Sequence, residues 1–403
     1  MTWWLSAWTA FAAFTAAVWL ARHLVFWKIE RTMPPLKADP TPPAPEGSPP
    51  LTAIVAAKDE ERNIERCVRS ILRQDYPALR VIAVNDRSRD RTGEILDRLA
   101  SEDARLSVVH VTQLRPGWFG KNNAMHEGVG RAASEWLFFT DADCTLLSPH
   151  TLSTAMRYAR ARNCDFLSVL PVLEAHGLLE QIIQPACSGI LLIWFNPLFV
   201  NDPRNTTAYA NGAFMLMSRR VYDAVGGHEP VKTEVNEDIH LARRAKQLGL
   251  SLRVVGNEDL YRVRMYESLG QMWRGWSRIF YGSFGSARRI VASMLMVMLG
   301  GIQPWASWAV GAWMSGASTG PEAWRPLMWA GMAASLFQVS VMFRYYRATR
   351  VPAWLAPTYP IAALLALGML ISALRRVGGR GTTTWRGTTY RGDVVVSGEA
   401  TRT

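Results

Sequence analysis

WLFFTDADC, residues 136–144, runs four apolar or aromatic side chains into a threonine and then into two aspartates with one residue between them. A short apolar run without alternation is the pattern of a parallel strand covered on both faces. Charges gathered at its end mark the point where such a strand leaves the core. Working outward, LTAIVAA (51–57), VIAV (81–84) and LSVVHV (106–111) have the same character, and helix-period stretches separate them. Ile64, Val68, Ile71 and Leu72 stripe the first of these helices, and Ile95, Leu96 and Leu99 the second. This alternation predicts an α/β domain with a mostly parallel, Rossmann-like sheet.

In an open parallel sheet, ligands bind where the carboxyl ends of the strands meet loops and helix starts. Asp59 and Glu60 follow the first strand, Asp86 the second, and Asp141 and Asp143 the fourth. Each alone reads as a solvated loop acid. Their common placement on one edge does not. Two carboxylates as close as Asp141 and Asp143 repel, and a dry strand end sharpens the repulsion unless a cation sits with them. Oxygen ligands without histidine or cysteine suit Mg2+ or Mn2+ rather than zinc, and such an ion shares its shell with phosphate oxygens. A nucleoside diphosphate is the matching partner.

The two ends of the chain are of another kind. Thr2 to Ala21 carries no charge, is long enough to cross a hydrocarbon core of roughly 30 Å, and is followed by Arg22, His23, Lys28 and Arg31. It lacks the basic start and cleavage site of a signal peptide. Residues 1–33 are therefore expected to be a transmembrane anchor, and the basic flank places the following domain in the cytoplasm. Residues 34–50 are proline-rich and read as an extended spacer. After residue 288 come three long apolar segments, 290–314, 327–343 and 351–374, and then a polar tail over 377–403. Three full crossings would export that arginine-bearing tail, so one segment is expected not to cross. Residues 351–374, with Pro352, Pro357 and Pro360, are the choice. Residues 178–200, too apolar for a surface loop, read equally as a core helix or as an interfacial pair broken by Pro185 and Pro197.

Composition excludes other classes. The formal charge of +12 comes without zinc-finger spacing or a basic stretch interleaved with stacking aromatics, so nucleic acid is not the expected partner. The excess lies beside apolar runs, which suits a membrane surface. Four scattered cysteines form no CxxC pair and imply neither a zinc site nor a disulfide framework. The Asn205-Thr206-Thr207 sequon is read as chance.

The run IVAAKDEERNIERCVRSILRQDYPALRVIAVNDRSRDRT, then GKNNAM, DAD and NEDIHLARRAKQLG, resembles family 2 glycosyltransferases of the GT-A fold over most of residues 51–280. PGWFGK, VNDPRNTT and the C-terminal WRGTTYRG resemble the membrane-bound branch that includes ceramide glucosyltransferases and hopene-associated glycosyltransferases. The resemblance implies a cytoplasmic GT-A domain over 51–288 and membrane helices over 289–376. Its activity would be inverting, metal-dependent transfer of a sugar from a nucleotide donor, UDP-linked in the expected case, to a membrane lipid.

By the same resemblance Glu60 and Asp86 would contact the nucleoside, and Lys121 the donor phosphates at a helix start. Asp141 and Asp143 would hold the metal, with Asp141 also facing the donor. Glu237 and Asp238 match the paired acids whose second member is the general base. An acceptor hydroxyl needs such a base, since it is a poor nucleophile at neutral pH. QMWRGW matches the branch's Q-x-x-R-W at Gln271 and Arg274 but misplaces the tryptophan, leaving Trp273 and Trp276 as acceptor-side candidates. Gln271, Arg274 and Arg278 share a helical face, which reads either as a diphosphate clamp or as a basic helix lying on lipid. A processive polysaccharide synthase would need more spans, and an inactive scaffold would not need intact Asp86, Asp141, Asp143 and Asp238. The sugar, the lipid and the oligomeric state are not written in the sequence.

Overall fold

The computed structural model describes residues 3–41, 47–317 and 321–377, and in the tail the backbone of 383–385, 388–391 and 394–397. The chain folds as two compact units. A sheet unit takes in Met33–Glu174 and Phe195–Met265, and a helical unit takes in Met1–Thr32, Ala175–Trp194 and Tyr266–Gly378.

Helix α1 (Trp3–Thr32) opens the chain. The alternation then runs β1 (Leu51–Ala57), α2 (Ile64–Leu72), β2 (Leu79–Asp86), α3 (Thr92–Glu102), β3 (Leu106–Val111), α4 (Gly120–Gly130) and β4 (Trp136–Asp141). Next come β5 (Cys144–Leu146), α5 (Thr151–Ala161), β6 (Phe166–Val169), β7 (Val172–Leu173), α6 (Leu178–Trp194), α7 (Pro197–Val200), β8 (Met215–Ser218) and α8 (Arg219–Ala224). The remainder is α9 (Glu237–Gln247), β9 (Leu252–Val255), β10 (Tyr261–Val263), α10 (Leu269–Phe284), α11 (Ala287–Met296), α12 (Gln303–Ala317), α13 (Arg325–Ala348) and α14 (Tyr359–Leu374).

Seven strands form the main sheet in the order β3-β2-β1-β4-β8-β6-β9. The pairs β1–β2, β2–β3, β1–β4 and β6–β9 are parallel, and β8 is antiparallel to both of its neighbours. The expected parallel strands are all present, and their burial explains the missing alternation: Ala53, Ile54, Val55, Val81, Ala83, Val84, Leu137, Phe138 and Phe139 are fully enclosed. Register sets Ala56 opposite Asp141, and Ala57 opposite Asn85, so the acids ending β1, β2 and β4 share one edge.

Two domain boundaries differ from the sequence expectation. Helices α6 and α10 lie inside the expected 51–288 domain but group with the apolar helices, where both pack on α14. Nor is the spacer free along its length. Leu36 pairs with the chain at Gly256 and Glu258, and the amides of Ala38 and Asp39 donate to Asp259 and Thr154. Residues 42–46 of the spacer, and most of the tail including parts of WRGTTYRG, lie outside the described residues.

Among the described residues five helical stretches are long and apolar enough to cross a membrane: Trp3–Thr32, Leu178–Val200, Ala287–Ala317, Arg325–Ala348 and Ala353–Leu374. Helix α13 sets the frame. Trp4 and Leu5 meet Trp324 and Leu327, while His23 and Glu30 meet Arg344, so α1 runs beside α13 in the same direction. Helix α12 runs the opposite way, with Gly311 against Met328 and Gly331 against Trp308. A Cβ on either glycine would come within 2.6 Å of backbone, so the close approach requires glycine there. A π-helical turn, Val297–Ile302, separates α11 from α12. Gln338 satisfies it by donating to the Gly300 and Gly301 carbonyls at 2.9 and 3.1 Å while accepting from Trp305 Nε1.

Helix α6 lies differently. Its Ile182 carbonyl accepts from Tyr346 Oη, and its Ser188 Oγ meets Tyr345 Oη at 2.8 Å. Six residues, about 9 Å of α6, thus meet two consecutive residues of α13. Helix α6 therefore crosses α13 and does not run along it. Helix α14 starts where Tyr359 and Ala363 face Gly301, at the level of Gln338. By Met369 it has reached Cys187, beside the Ser188–Tyr345 contact. It therefore descends in the same direction as α13. The connection, a 3-10 stretch over Ala353–Thr358 packed on α13, doubles back between them.

Candidate active site

The strand-end loops of the sheet unit are built against one another. Asp59, two residues past β1, and Arg87, directly after β2, take left-handed φ values of 54° and 56°, a conformation that surrounding contacts must impose on non-glycine residues. Ser88 Oγ accepts from the Asp59 amide, Asp59 Oδ1 from the Arg89 amide at 2.8 Å, and Thr92 Oγ1 from the Glu60 amide at 2.8 Å. Glu60 is buried, with Oε2 accepting from Asn63 Nδ2 at 2.9 Å. Asp86 is also buried, and Arg87 clasps both its oxygens at 2.8 and 2.9 Å. Each oxygen keeps a further lone pair for a donor such as a base N–H.

Helix α4 delivers Lys121 to the same edge. The side chain of Asn122 donates to the carbonyls of Val231, Lys232 and Glu234, and the Phe119 amide donates to Lys232. These bonds tie the start of α4 to the loop that leads into α9. Lys121 Nζ consequently lies 2.6 Å from Asp141 Oδ1 and 2.8 Å from Glu237 Oε1. The second contact is an ion pair by distance, since Glu237 Oε1 has no hydrogen bond of good angle. Burial opposes a charge on Lys121, but Asp141, Glu237 and Asp238 outweigh it and hold the ammonium well above its ordinary value.

Asp238 sits in the first turn of α9, whose Ile239, Leu241 and Ala245 face the core. Its Oδ1 accepts from the Ile239 amide at 2.7 Å and its Oδ2 from the Gly212 amide at 2.6 Å. Burial first, and then the Glu237 carboxylate, push Asp238 up to about 7, while Lys121 and the two amides pull the other way. A carboxylate near neutrality is matched to taking a proton at neutral pH. Glu237 is more deeply enclosed and serves the lysine.

The sequence reading did not find the Tyr209–Gly212 loop. A Cβ on Gly212 would lie 3.0 Å from Lys121 Nζ and 3.4 Å from both Asp238 Oδ2 and Glu237 Oε1, so a side chain there would press on the charged cluster and displace it by a few tenths of an ångström. Asn211 fixes it, its amide donating to Ser168 Oγ and its Oδ1 accepting from the Ala213 amide. The usable signal was the Asn-Gly pair immediately ahead of the apolar run of β8.

Asp141 and Asp143 flank the turn between β4 and β5. Among the described residues no three histidine, cysteine, aspartate or glutamate side chains cluster as a metal site. The donor set still fits a hard divalent ion that completes its shell with phosphate oxygens and water. The neighbouring thiol of Cys144 does not compete, because burial, then Asp143 and Asp141, raise it well above its ordinary value and keep it protonated. The cation that the aspartate pair demands is supplied in part by the chain itself, through Lys121 on Asp141.

Gln271, Trp273, Arg274 and Trp276 belong to the helical unit. Gln271 Oε1 accepts from the Glu267 amide, and both Gln271 and Arg274 are exposed. Trp273 Nε1 donates to Ser372 Oγ on α14 at 3.0 Å, and Trp276 is buried beside Phe280. Packing within α10 and its neighbours uses both tryptophans.

A family model described as glycosyltransferase-like family 2 matches residues 49–270, more than half of the chain. The chain is 27% identical over 256 residues to 4,4'-diaponeurosporenoate glycosyltransferase of Staphylococcus aureus, a match covering 62% of this chain and 66%, just under two thirds, of that protein. Among solved structures it is similar to the mannosyltransferase PcManGT from Pyrobaculum calidifontis, in complex with GDP-Man and Mn2+. That likeness has a TM-score of 0.53 at 20% identity, and covers 89% of this chain and 99% of the other, so it speaks to the GT-A fold. The chain belongs to the family 2 glycosyltransferases.

Proposed function

We propose that this glycosyltransferase moves a sugar from a nucleoside-diphosphate donor, a UDP-sugar in the first instance, to a hydroxyl of a membrane lipid with inversion at the anomeric carbon. The observation that carries this reading is the placement of Asp238. Its carboxylate sits at about 7, held by the Gly212 and Ile239 amides beside the Lys121–Asp141 pair of the donor edge. Glu60 and Asp86 serve the nucleoside, and Lys121 the donor's negative charge. Asp141 and Asp143 would hold Mg2+ or Mn2+, which when bound supplies charge stabilisation for the departing diphosphate. Asp238 takes the acceptor proton as its oxygen attacks the sugar from the face opposite the diphosphate. Glu237 keeps Lys121 in place and keeps Asp238 basic.

A hydroxyl acceptor is favoured over a carboxylate, the group borne by the substrate named for the Staphylococcus aureus relative. A carboxylate is ionised at neutral pH and needs no base, and Glu237 and Asp238 would repel it. Long apolar helices support a membrane setting, with α1, α11–α12 and α13 as crossings, α6 at the interface and α14 re-entrant. On this reading the tail emerges in the cytoplasm, the side that the basic flanks of α1 and α13 favour. The test is product analysis with nucleotide sugars and a total lipid extract. An inverted glycoside on a lipid hydroxyl is expected, and a glycosyl ester or a retained configuration would overturn the reading.

A further inference from the structure

Helices α10 and α14 run side by side in the same direction. Trp273 packs against Gly368 and donates to Ser372, and further along Arg278 and Tyr281 lie within electrostatic reach of Arg376. With α10 and α14 held in this register, two half-buried arginines fall at the same end of the seam, just past the end of α14. Like charges at a partly desolvated site repel, as the aspartates of the donor edge do. There Lys121 answers the repulsion. Here neither Arg278 nor Arg376 pairs with a carboxylate of the described residues, so the pair calls for an anion from outside those residues.

Chemistry and position select the anion. Guanidinium groups match phosphate oxygens through parallel N–H donors, and the Tyr281 hydroxyl adds a donor beside them. Helix α14 carries Arg376 from the level of Gln338 past that of Tyr345, toward the end of α13 that bears Arg344, Arg347 and Arg350. An end of a helical bundle rimmed with arginine, directly beyond an apolar segment ending at Leu374, is where lipid headgroups lie.

We propose that Arg278 and Arg376 form a binding site for the phosphate of an anionic lipid, at the seam of α10 and α14. The site belongs to the helical unit and does not depend on which sugar is transferred. Native mass spectrometry of the purified full-length chain, incubated with phosphatidylglycerol or phosphatidylcholine, tests it. The protein should retain phosphatidylglycerol at least tenfold better than phosphatidylcholine. The double variant Arg278→Gln/Arg376→Gln should lose that preference, while Arg69→Gln, a surface control, keeps it. Arg376→Lys, which preserves charge and is the gentler change, should retain a reduced preference. Displacement of the lipid by millimolar inorganic phosphate or by a nucleoside diphosphate alone would overturn the proposal, the first by pointing to a free-anion site and the second to the donor clamp. Equal retention of the two lipids by the wild type, or an unchanged preference in a folded double variant, would also overturn it.

Discussion

The sheet unit and the helical unit solve the same problem, polar groups in poorly solvated places, in different ways. At the strand ends the groups are ionic, and the chain meets three carboxylates with one ammonium: Asp141 and Glu237 within 2.8 Å of Lys121, with Asp238 beside them. At the π-turn between the apolar helices α11 and α12 the groups are neutral. There Gln338, fully buried, closes the carbonyls that the π-turn leaves open. An over-subscribed ionic cluster has a carboxylate left over with a raised pKa, which is what chemistry needs. A closed network of neutral bonds has nothing left over, which is what a scaffold needs.

Breaking the ionic cluster should therefore cost activity, and breaking the neutral one stability. The largest effect is expected at the donor edge. Asp141→Ala or Asp143→Ala should abolish transfer while circular dichroism stays unchanged, and EDTA should do the same to the wild type; full turnover in EDTA would refute metal dependence. Next comes Glu237→Gln. The Glu237 charge raises Asp238, so its loss should move the acidic limb of kcat/KM, expected near pH 7 in the wild type, to lower pH. Gly212→Ala should be milder, about tenfold in kcat, equivalent to about 1.4 kcal/mol, with donor KM nearly unchanged, as read by steady-state kinetics. In the helical unit, Gln338→Leu should leave transfer chemistry intact and lower stability by about 1–3 kcal/mol, because two carbonyls and an indole N–H lose their partner; a Tm measured in detergent checks it.

How much was legible in the sequence follows the same division. LTAIVAA, LSVVHV and the stripes of α2 and α3 announced themselves, since backbone period dictates which side chains a sheet or helix can bury. The acids were legible as strand-end residues, and Glu237 with Asp238 as a pair at a helix start. The partnership of Lys121 was not, because it depends on Asn122 tying α4 to the loop before α9, a contact 109 residues away. Gly212 was missed for the same reason. The affiliation of α6 and α10 could not be read either, because an amphipathic helix buries its apolar face equally well against a sheet or against other helices. Proline content did mark the doubling-back before α14, where Pro352 and Pro357 flank or interrupt the 3-10 stretch and Pro360 starts the helix.

Protonation links the site to stability in a checkable way. Asp238 is raised in the folded chain, so the stability it contributes is full below the unfolded value near 4 and is lost as pH rises through about 7. Asp238→Asn removes that ionisation, and its Tm advantage over the wild type should grow between pH 5 and pH 8. The most direct measurement is the turnover of Asp238→Asn with lipid acceptor across that same pH range, with nucleotide binding followed in parallel. General base catalysis is typically worth about 10² to 10⁴ in rate. The predicted result is a loss of that order at neutral pH, disappearance of the limb near pH 7, and undiminished nucleotide binding. Near-normal turnover that keeps the wild-type limb would contradict the assignment of Asp238 as the base.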